Sequence, residues 1–346
     1  MEQTSIAGLE IADLEKLLTP LPRFRAAQIY KWITCGVTDF NQMTDLPGQL
    51  RKELTEKFCL YSSFVDNILN DTDVKKIVIT HKDGAKTEAV LLNDGKKRYT
   101  ACLSSQVGCP AECIFCKTGK HFTRNLNNKE IIEQFLFLRN SVTDETAGHI
   151  IDNIVIMGMG EPLLNLPQLT KALSFFTSKT GLNFSRRRIT VSTCGIYDGI
   201  KELANNGPLV RLAFSLVTAD EQLRQKLMPV NNANPLNKIK EALTLYQRRS
   251  GNRITLEIPL LGGINCRDKD AALAADFAAG LDTVINVIPW NPVPDLYFEG
   301  IPLREPEKKE TENFIHLLEK KGLKVTKRLH KGRRVMGACG QLGNGA

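Results

Sequence analysis

The chain lacks any run of apolar residues as long as a membrane span, and it has no internal repeat and no low-complexity tract. Its opening residues, Met-Glu-Gln-Thr-Ser, are neither basic nor followed by a long apolar stretch, so no secretory signal is expected. Nine cysteines in 346 residues, three of them clustered, fit a secreted disulfide scaffold poorly. These absences point away from the membrane and the exterior and towards a reducing cytoplasm. What is present is ordinary for a globular protein, with 42% hydrophobic and 24% charged residues and length for one large core plus a small second domain. Positive charge is in excess: 46 Lys and Arg against 38 Asp and Glu give +8. It concentrates at Lys96-Lys97-Arg98, at Arg186-Arg187-Arg188 and along Lys324, Lys327, Arg328, Lys331, Arg333 and Arg334, a pattern that favours a polyanionic partner such as a nucleic acid.

The most specific motif is Gly-Cys-Pro-Ala-Glu-Cys-Ile-Phe-Cys, which puts Cys109, Cys113 and Cys116 on one short loop with C-x3-C-x2-C spacing. A cubane iron–sulfur cluster has four irons, so three thiolates leave one iron open. That is the arrangement a radical S-adenosylmethionine (SAM) enzyme needs, with SAM chelating the open iron and Phe115 shielding the cluster. The alternative is a zinc knuckle, but the nearest candidate fourth ligands, Cys102 and His121, fit no common zinc spacing.

Periodicity divides the chain. Up to about Leu60 it reads as short helices, with an apolar stripe at Leu9, Ile11, Leu14, Leu17 and Leu18, a break at Pro20 and Pro22, and resumption from Phe24 to Trp32. From Val74 the period changes to two, and Asp83-Gly84 and Asp94-Gly95 mark the turns of a small meander leading to the strand that ends near Cys102. Beyond the cysteine loop, helical and strand patterns alternate through about six β/α units, which predicts an α/β fold with a parallel partial barrel. The expected segments are 1–62 (helical, with Lys- and Arg-bearing helices suited to docking a nucleic acid), 63–94 (meander), 95–330 (barrel core) and a tail, 331–346, whose glycines and lack of period predict a mobile loop.

In such sheets ligands bind at the carboxyl ends of the strands. Gly158-Met-Gly160-Glu161-Pro162 follows the second barrel strand, where an acidic loop can grip an ammonium group; a plain glycine turn before a helix is the bland alternative. Ser192, Ser215 and Asn291 fall at other strand ends, with hydroxyl and amide groups suited to a ribose or a carboxylate, although each alone is also an ordinary turn or cap. Cys102 ends a strand just before the cluster loop, and Cys339 lies in Gly337-Ala-Cys-Gly-Gln-Leu, a setting poor for core burial and suited to an exposed thiol that swings into a site. Cys35, Cys59, Cys194 and Cys266 stand in ordinary apolar or turn settings.

Five segments carry a family resemblance: Phe24-Arg-Ala-Ala-Gln-Ile-Tyr-Lys-Trp32, Cys102-Leu-Ser-Ser-Gln-Val-Gly-Cys109, Gly158-Met-Gly-Glu-Pro-Leu-Leu-Asn165, Ile288-Pro-Trp-Asn-Pro292 and Ala338-Cys-Gly-Gln-Leu342. Together they resemble, nearly end to end, the RlmN/Cfr family of radical SAM RNA methyltransferases, and more closely its C2 branch. The resemblance implies a radical SAM partial (β/α)6 barrel with a small helical N-terminal domain, a 4Fe–4S cluster on Cys109, Cys113 and Cys116, and two SAM molecules per turnover. It implies SAM contacts from Gly160, Glu161, Ser192, Ser215, Leu216, Val217 and Asn291. It also implies that Cys339 carries a methyl group as S-methylcysteine and that its methylene radical adds to C2 of an adenine. Cys102 then resolves the protein–RNA thioether by forming a disulfide with Cys339. Glu88 matches the family's proton acceptor; an exposed strand carboxylate is the alternative reading.

The implied substrates are 23S ribosomal RNA and tRNA, and the implied partner is an electron donor such as flavodoxin or ferredoxin, with the chain acting as a cytoplasmic monomer away from membranes. Within the class, C8 methylation of the Cfr type is the alternative. Outside it stands a non-catalytic RNA-binding protein with a structural metal site, a reading that leaves Cys102 and Cys339 without a purpose. Two departures from the family pattern stand out. Val217 replaces the usual histidine of Ser-Leu-His, and Arg334-Val335-Met336-Gly337 replaces Asp-Ile-Asp-Ala before the tail cysteine.

Overall fold

The computed structural model describes residues 3–95, 98–142, 151–328 and 331–343; Lys96 and Lys97 of the first basic cluster lie outside the described residues. Ten strands form one sheet: β1 (Phe64–Asp71), β2 (Val74–Thr80), β3 (Lys86–Asn93), β4 (Tyr99–Leu103), β5 (Asn153–Ile156), β6 (Ile189–Thr193), β7 (Arg211–Ser215), β8 (Ile254–Leu260), β9 (Thr283–Pro289) and β10 (Val325–Lys327). Their order in space is their order in sequence. β1 to β4 pair antiparallel, as the predicted meander with one strand more than its period announced. β4 to β10 pair parallel.

Each parallel step is crossed by a helix: α4 (Asn128–Asn140), α5 (Leu166–Thr177), α6 (Tyr197–Asn206), α8 (Leu236–Ser250), α9 (Asp268–Ala278) and α10 (Lys308–Lys320), with a short α7 (Glu221–Leu227) inserted before α8. The six β/α units expected from the period are present, and the sheet stays open at β10. Local chemistry sets the helix ends. Asn127 and Glu130 form a reciprocal capping box at the start of α4, and Gly251 closes α8 in the left-handed region at φ +63. Alternation along β6 and β7 buries Ile189, Val191, Leu212 and Phe214 completely beneath those helices.

Three N-terminal helices, α1 (Ile11–Leu17), α2 (Arg23–Cys35) and α3 (Gly48–Lys57), share the apolar core of the barrel. Tyr30 meets Phe175 of α5 edge-on at 5.8 Å. The α4 side chains Asn128, Lys129 and Asn140 donate to the carbonyls of Gly8, Ser5 and Gly36 at 3.0, 2.8 and 2.7 Å. No helix among the described residues is long and apolar enough to cross a membrane. Arg186–Arg188 precedes β6 and so sits at the amino end of the sheet, away from the strand ends that carry the site, whereas Arg328 follows β10 on the site's side.

Candidate active site

The cysteine loop leaves β4 through a short ribbon, Gln106–Gly108 against Phe122–Asn125, whose arms bracket it. Gly108 turns the chain at φ +78, where an added Cβ would lie 2.0 Å from the His121 carbonyl. Cys109 donates its N–H to that same carbonyl at 2.8 Å, and Cys116 donates to Cys113 O at 3.1 Å. All three thiols line one cavity of about 190 Å³ at the carboxyl ends of the parallel strands. Burial pushes the Cys109 thiol up to about 12 and raises Cys113 and Cys116 as well, and for Cys113 the neighbouring cysteines add to the effect. Buried thiols that oppose one another's ionisation need a positive partner to become ligands. A cluster, taking one thiolate on each of three irons, fits this donor set.

Gly160, Glu161, Ser192, Ser215, Val217 and Asn291 line the same cavity. Leu216 does not: its side chain is fully buried in the core, and its backbone carbonyl accepts from Arg224. Gly160 sits at φ +106 with no room for a Cβ, which would meet the Gln106 side chain at 2.6 Å. Glu161 is 3% exposed and ties two strand ends together, accepting from Leu163 N at 2.9 Å and from Cys194 N at 2.7 Å; burial raises its carboxyl. Val217 holds a left-handed φ of +61, a strained conformation for a β-branched residue. Its carbonyl accepts from Asn265 at 2.8 Å and its N–H donates to Glu257 O at 3.2 Å, bonds that fix the strain in place.

Sequence reasoning passed over several residues in and behind this wall. Arg224 of α7 is fully buried and donates to Asn231 Oδ1 at 2.9 Å, Ser215 O at 2.9 Å and Cys194 O at 2.6 Å, with Phe214 under its guanidinium at 5.0 Å. Cys194, given no role from its setting, lines the cavity beside Glu161. Glu257 and Arg328 also line it; a lone glutamate in an apolar strand was a signal available for the first, while the second was hidden inside a run read only as surface charge.

A second, larger cavity of about 900 Å³ adjoins the first, lined by Cys102, Arg98, Lys327, Lys331 and Asp94 among others. Cys339, Gly340, Arg328, Asn291 and Cys116 belong to both walls. Cys102 is buried, and burial, reinforced by Cys339 nearby, pushes its thiol up to about 12. Arg328 faces Cys339, Glu257 and Cys102, charges that raise its guanidinium further.

The tail is fixed where its composition predicted a mobile loop. Lys117 N donates to Gly340 O at 2.9 Å, Thr118 Oγ1 to Leu342 O at 2.8 Å and Gln341 Nε2 to Pro292 O at 2.9 Å, and Ala338, Gln341 and Leu342 are buried. Its order comes from hydrogen bonds that involve its backbone carbonyls and the Gln341 amide, which leave no apolar period to read. Asn291 uses its amide here: Nδ2 donates to Cys339 O at 3.1 Å, and Oδ1 accepts from Arg333 Nε at 3.1 Å. Arg333 also grips Glu305 with both terminal nitrogens, at 3.2 and 2.7 Å. Glu88 lines neither cavity. It is 1% exposed, so it is no exposed strand carboxylate; Oε1 accepts from Lys76 at 3.0 Å and Oε2 from Gly343 N at 2.8 Å, holding the end of the tail.

An open parallel barrel with three cysteines after its first parallel strand defines a radical SAM enzyme, and the radical SAM superfamily model matches residues 103–275. The model of the ribosomal RNA large subunit methyltransferase N-terminal domain matches residues 4–60. The chain is 44% identical to the probable dual-specificity RNA methyltransferase RlmN of Treponema denticola, over 99% of this chain and 96% of that one. Against the RlmN of Lawsonia intracellularis it is 40% identical, over 92% and 90% of the two chains. A radical SAM methyltransferase crystal structure from Sphaerobacter thermophilus superposes with a TM-score of 0.92 at 33% identity, covering 99% of this chain and all of that one. The chain belongs to the RlmN family of radical SAM RNA methyltransferases.

Proposed function

We propose that this protein methylates C2 of adenosines in 23S ribosomal RNA and in tRNA, with Cys339 carrying the methyl group as S-methylcysteine and Cys102 releasing the product. The observation that carries this reading is the place of Cys339 in the wall between two chambers. On one side stand Cys109, Cys113 and Cys116, which would hold the 4Fe–4S cluster, and Gly160, Glu161, Ser192, Ser215, Val217 and Asn291, which would hold SAM. On the other side stand Cys102 and the basic residues. When bound, the reduced cluster and SAM supply the hydrogen-atom abstraction that an electron-poor adenine carbon requires, because such a carbon cannot attack a methyl sulfonium directly.

The chain's own residues do the rest. Asn291 and Arg333 hold the Cys339 loop so that its sulfur can take a methyl group from one chamber and deliver a carbon into the other. Cys102, buried within electrostatic reach of Cys339, attacks that sulfur as a thiolate once the carbon is joined to RNA; the sulfur–carbon bond breaks, its electron pair leaves with the RNA-borne carbon, which takes up a proton to become the product's methyl group, and a Cys102–Cys339 disulfide remains. Lys327, Arg328 and Lys331 draw the phosphate backbone to the larger chamber. Glu88, tied to Lys76 and the tail in this conformation, acts as proton acceptor only if Gly343 lets go of it. Residues 1–62 dock RNA, the electron comes from a flavodoxin or ferredoxin, and the enzyme works as a cytoplasmic monomer.

Mass spectrometry of adenosines from RNA treated with the reconstituted enzyme tests this. 2-Methyladenosine is the expected product; 8-methyladenosine, or none from a cluster-loaded enzyme supplied with reductant, contradicts the reading.

A further inference from the structure

Val74, Val90, Cys102 and Leu342, with Val335 packed against them, form a small apolar cluster between the meander and the tail. Beside it, Lys76 of β2 and Glu88 of β3 are diagonal neighbours, since Lys76 pairs with Val90 and Glu88 with Val78. They form an ion pair at 3.0 Å with only 3% and 1% of their side chains exposed. Each has a second partner in the tail. Lys76 Nζ donates to Met336 O at 3.3 Å, and Glu88 Oε2 accepts from Gly343 N at 2.8 Å. The pair thus holds the chain at two points, one on each side of Cys339. Val335 and Leu342 rest on the apolar cluster next to those same two points.

A buried ion pair is a weak source of stability, because taking two charges out of water costs about what their attraction returns. A pair that also bonds two backbone groups fixes geometry. Met336 shows the effect: its φ of +48 is a left-handed conformation that a residue other than glycine keeps only where its surroundings hold it. The hold comes from outside the loop, in a chain whose Arg334-Val335-Met336-Gly337 lacks the two carboxylates of the family pattern. Lys76 lines neither cavity, so it reaches the chemistry through the loop alone. Resting on the reading of Cys339 as methyl carrier, we propose that the Lys76–Glu88 pair clamps both ends of the Cys339 loop and that Lys76 is a positioning residue for the first half-reaction. In that step the Cys339 thiolate attacks the methyl carbon of SAM, the carbon–sulfonium bond breaks, and S-adenosylhomocysteine leaves with the electron pair.

The test follows single-turnover S-methylation of Cys339 by peptide mass spectrometry in the cluster-loaded, unreduced enzyme, beside SAM affinity and deuterium uptake along the chain. This half-reaction takes no proton from RNA, so a role of Glu88 as proton acceptor does not enter the readout. Lys76→Met keeps the stem and removes the charge. Lys76→Met/Glu88→Gln leaves no unpaired charge behind and decides the matter if the single variant does not fold, which circular dichroism checks. Both variants are expected to methylate Cys339 roughly tenfold more slowly than wild type. SAM affinity should stay within about threefold, and faster exchange should be confined to the segment from Met336 to Gly343. In a folded variant, methylation at the wild-type rate overturns the proposal. So does an equal fall in SAM affinity, or slower methylation with unchanged exchange in the tail. A wild type that never carries a methyl group on Cys339 would instead strike the underlying reading.

Discussion

The two cavities that meet at Cys339 differ in the way their tasks demand. The smaller, about 190 Å³, is walled by strand ends and apolar side chains such as Ile156, Met157, Pro259 and Trp290, with its carboxylates, Glu161 and Glu257, buried. The larger, about 900 Å³, is edged by Arg98, Lys327 and Lys331. A radical is safe only where water is kept away, whereas a polyanion is drawn to an open cationic mouth. Cys339, which lines both, is carried on a loop outside the sheet.

Breaking one chamber should leave the other intact. The largest effect is expected from Cys109→Ala, Cys113→Ala or Cys116→Ala: each should abolish the visible absorption of the anaerobically reconstituted protein and all methyl transfer to RNA, while RNA affinity stays within about twofold of wild type. A filter-binding assay beside the absorption spectrum checks both halves, and a parallel loss of RNA binding would mean that the chambers are not independent.

Acidity sharpens the contrast next. Cys102 reacts as a thiolate, and burial holds its thiol up near about 12, far above an ordinary cysteine. Below that value its thiolate fraction grows about tenfold per pH unit, so release of RNA from the protein should accelerate as pH rises from 7 to 9. Single-turnover release measured against pH should give a log-rate slope near one; a flat profile would show that another step limits release.

The loop between the chambers comes third. Arg333→Ala removes the link from Glu305 to Asn291 and so loosens the support of the Cys339 carbonyl. Because Arg333 and Glu305 are each about a third exposed, the ion pair itself is worth little, and the effect should come through position. Methylation of Cys339 is expected to slow by about tenfold with SAM and RNA affinities changed less than threefold. An equal fall in SAM affinity would make Arg333 part of the pocket and not a positioning residue. The smallest effect is expected from Lys327→Ala, an exposed cation of the larger chamber, which should weaken RNA binding a few-fold and reduce its salt slope by about one.

Much of the architecture was legible because it follows period. The apolar runs that became β5 to β9 and the helices between them sit within a few residues of where alternation put them. β1 was missed because its burial is irregular and mostly exposed, so Phe64–Asp71 carries no apolar alternation. The cysteine loop, Gly160, Glu161, Ser192, Ser215 and Asn291 were readable from type and position, and all line the smaller cavity; of the two residues that came only from the family resemblance, Val217 lines it and Leu216 does not. The tail misled because glycines without period read as loose, whereas Gly340 O and Leu342 O accept from Lys117 and Thr118 and knit it to the cluster loop. Arg224 and Arg328 were illegible for a different reason: what matters is what each meets in the fold, Arg224 the carbonyls of Ser215 and Cys194 and Arg328 the Glu257 carboxylate, and no local pattern announces such contacts. The substituted loop before Cys339 keeps its own anchors: Lys76 donates to Met336 O at 3.3 Å, and Gly337 N to Gly332 O at 2.8 Å.

The central claim is that one thiol works in both chambers and a second one frees it. Incubating Cys102→Ala and Cys339→Ala enzymes with SAM, reductant and RNA, then resolving protein–RNA conjugates and mapping them by mass spectrometry, tests it most directly. The account predicts a stable conjugate attached through Cys339 in Cys102→Ala alone. Cys339→Ala should still cleave SAM to 5′-deoxyadenosine yet leave RNA unmodified. Normal turnover by Cys102→Ala, or a conjugate attached at any other residue, would contradict it.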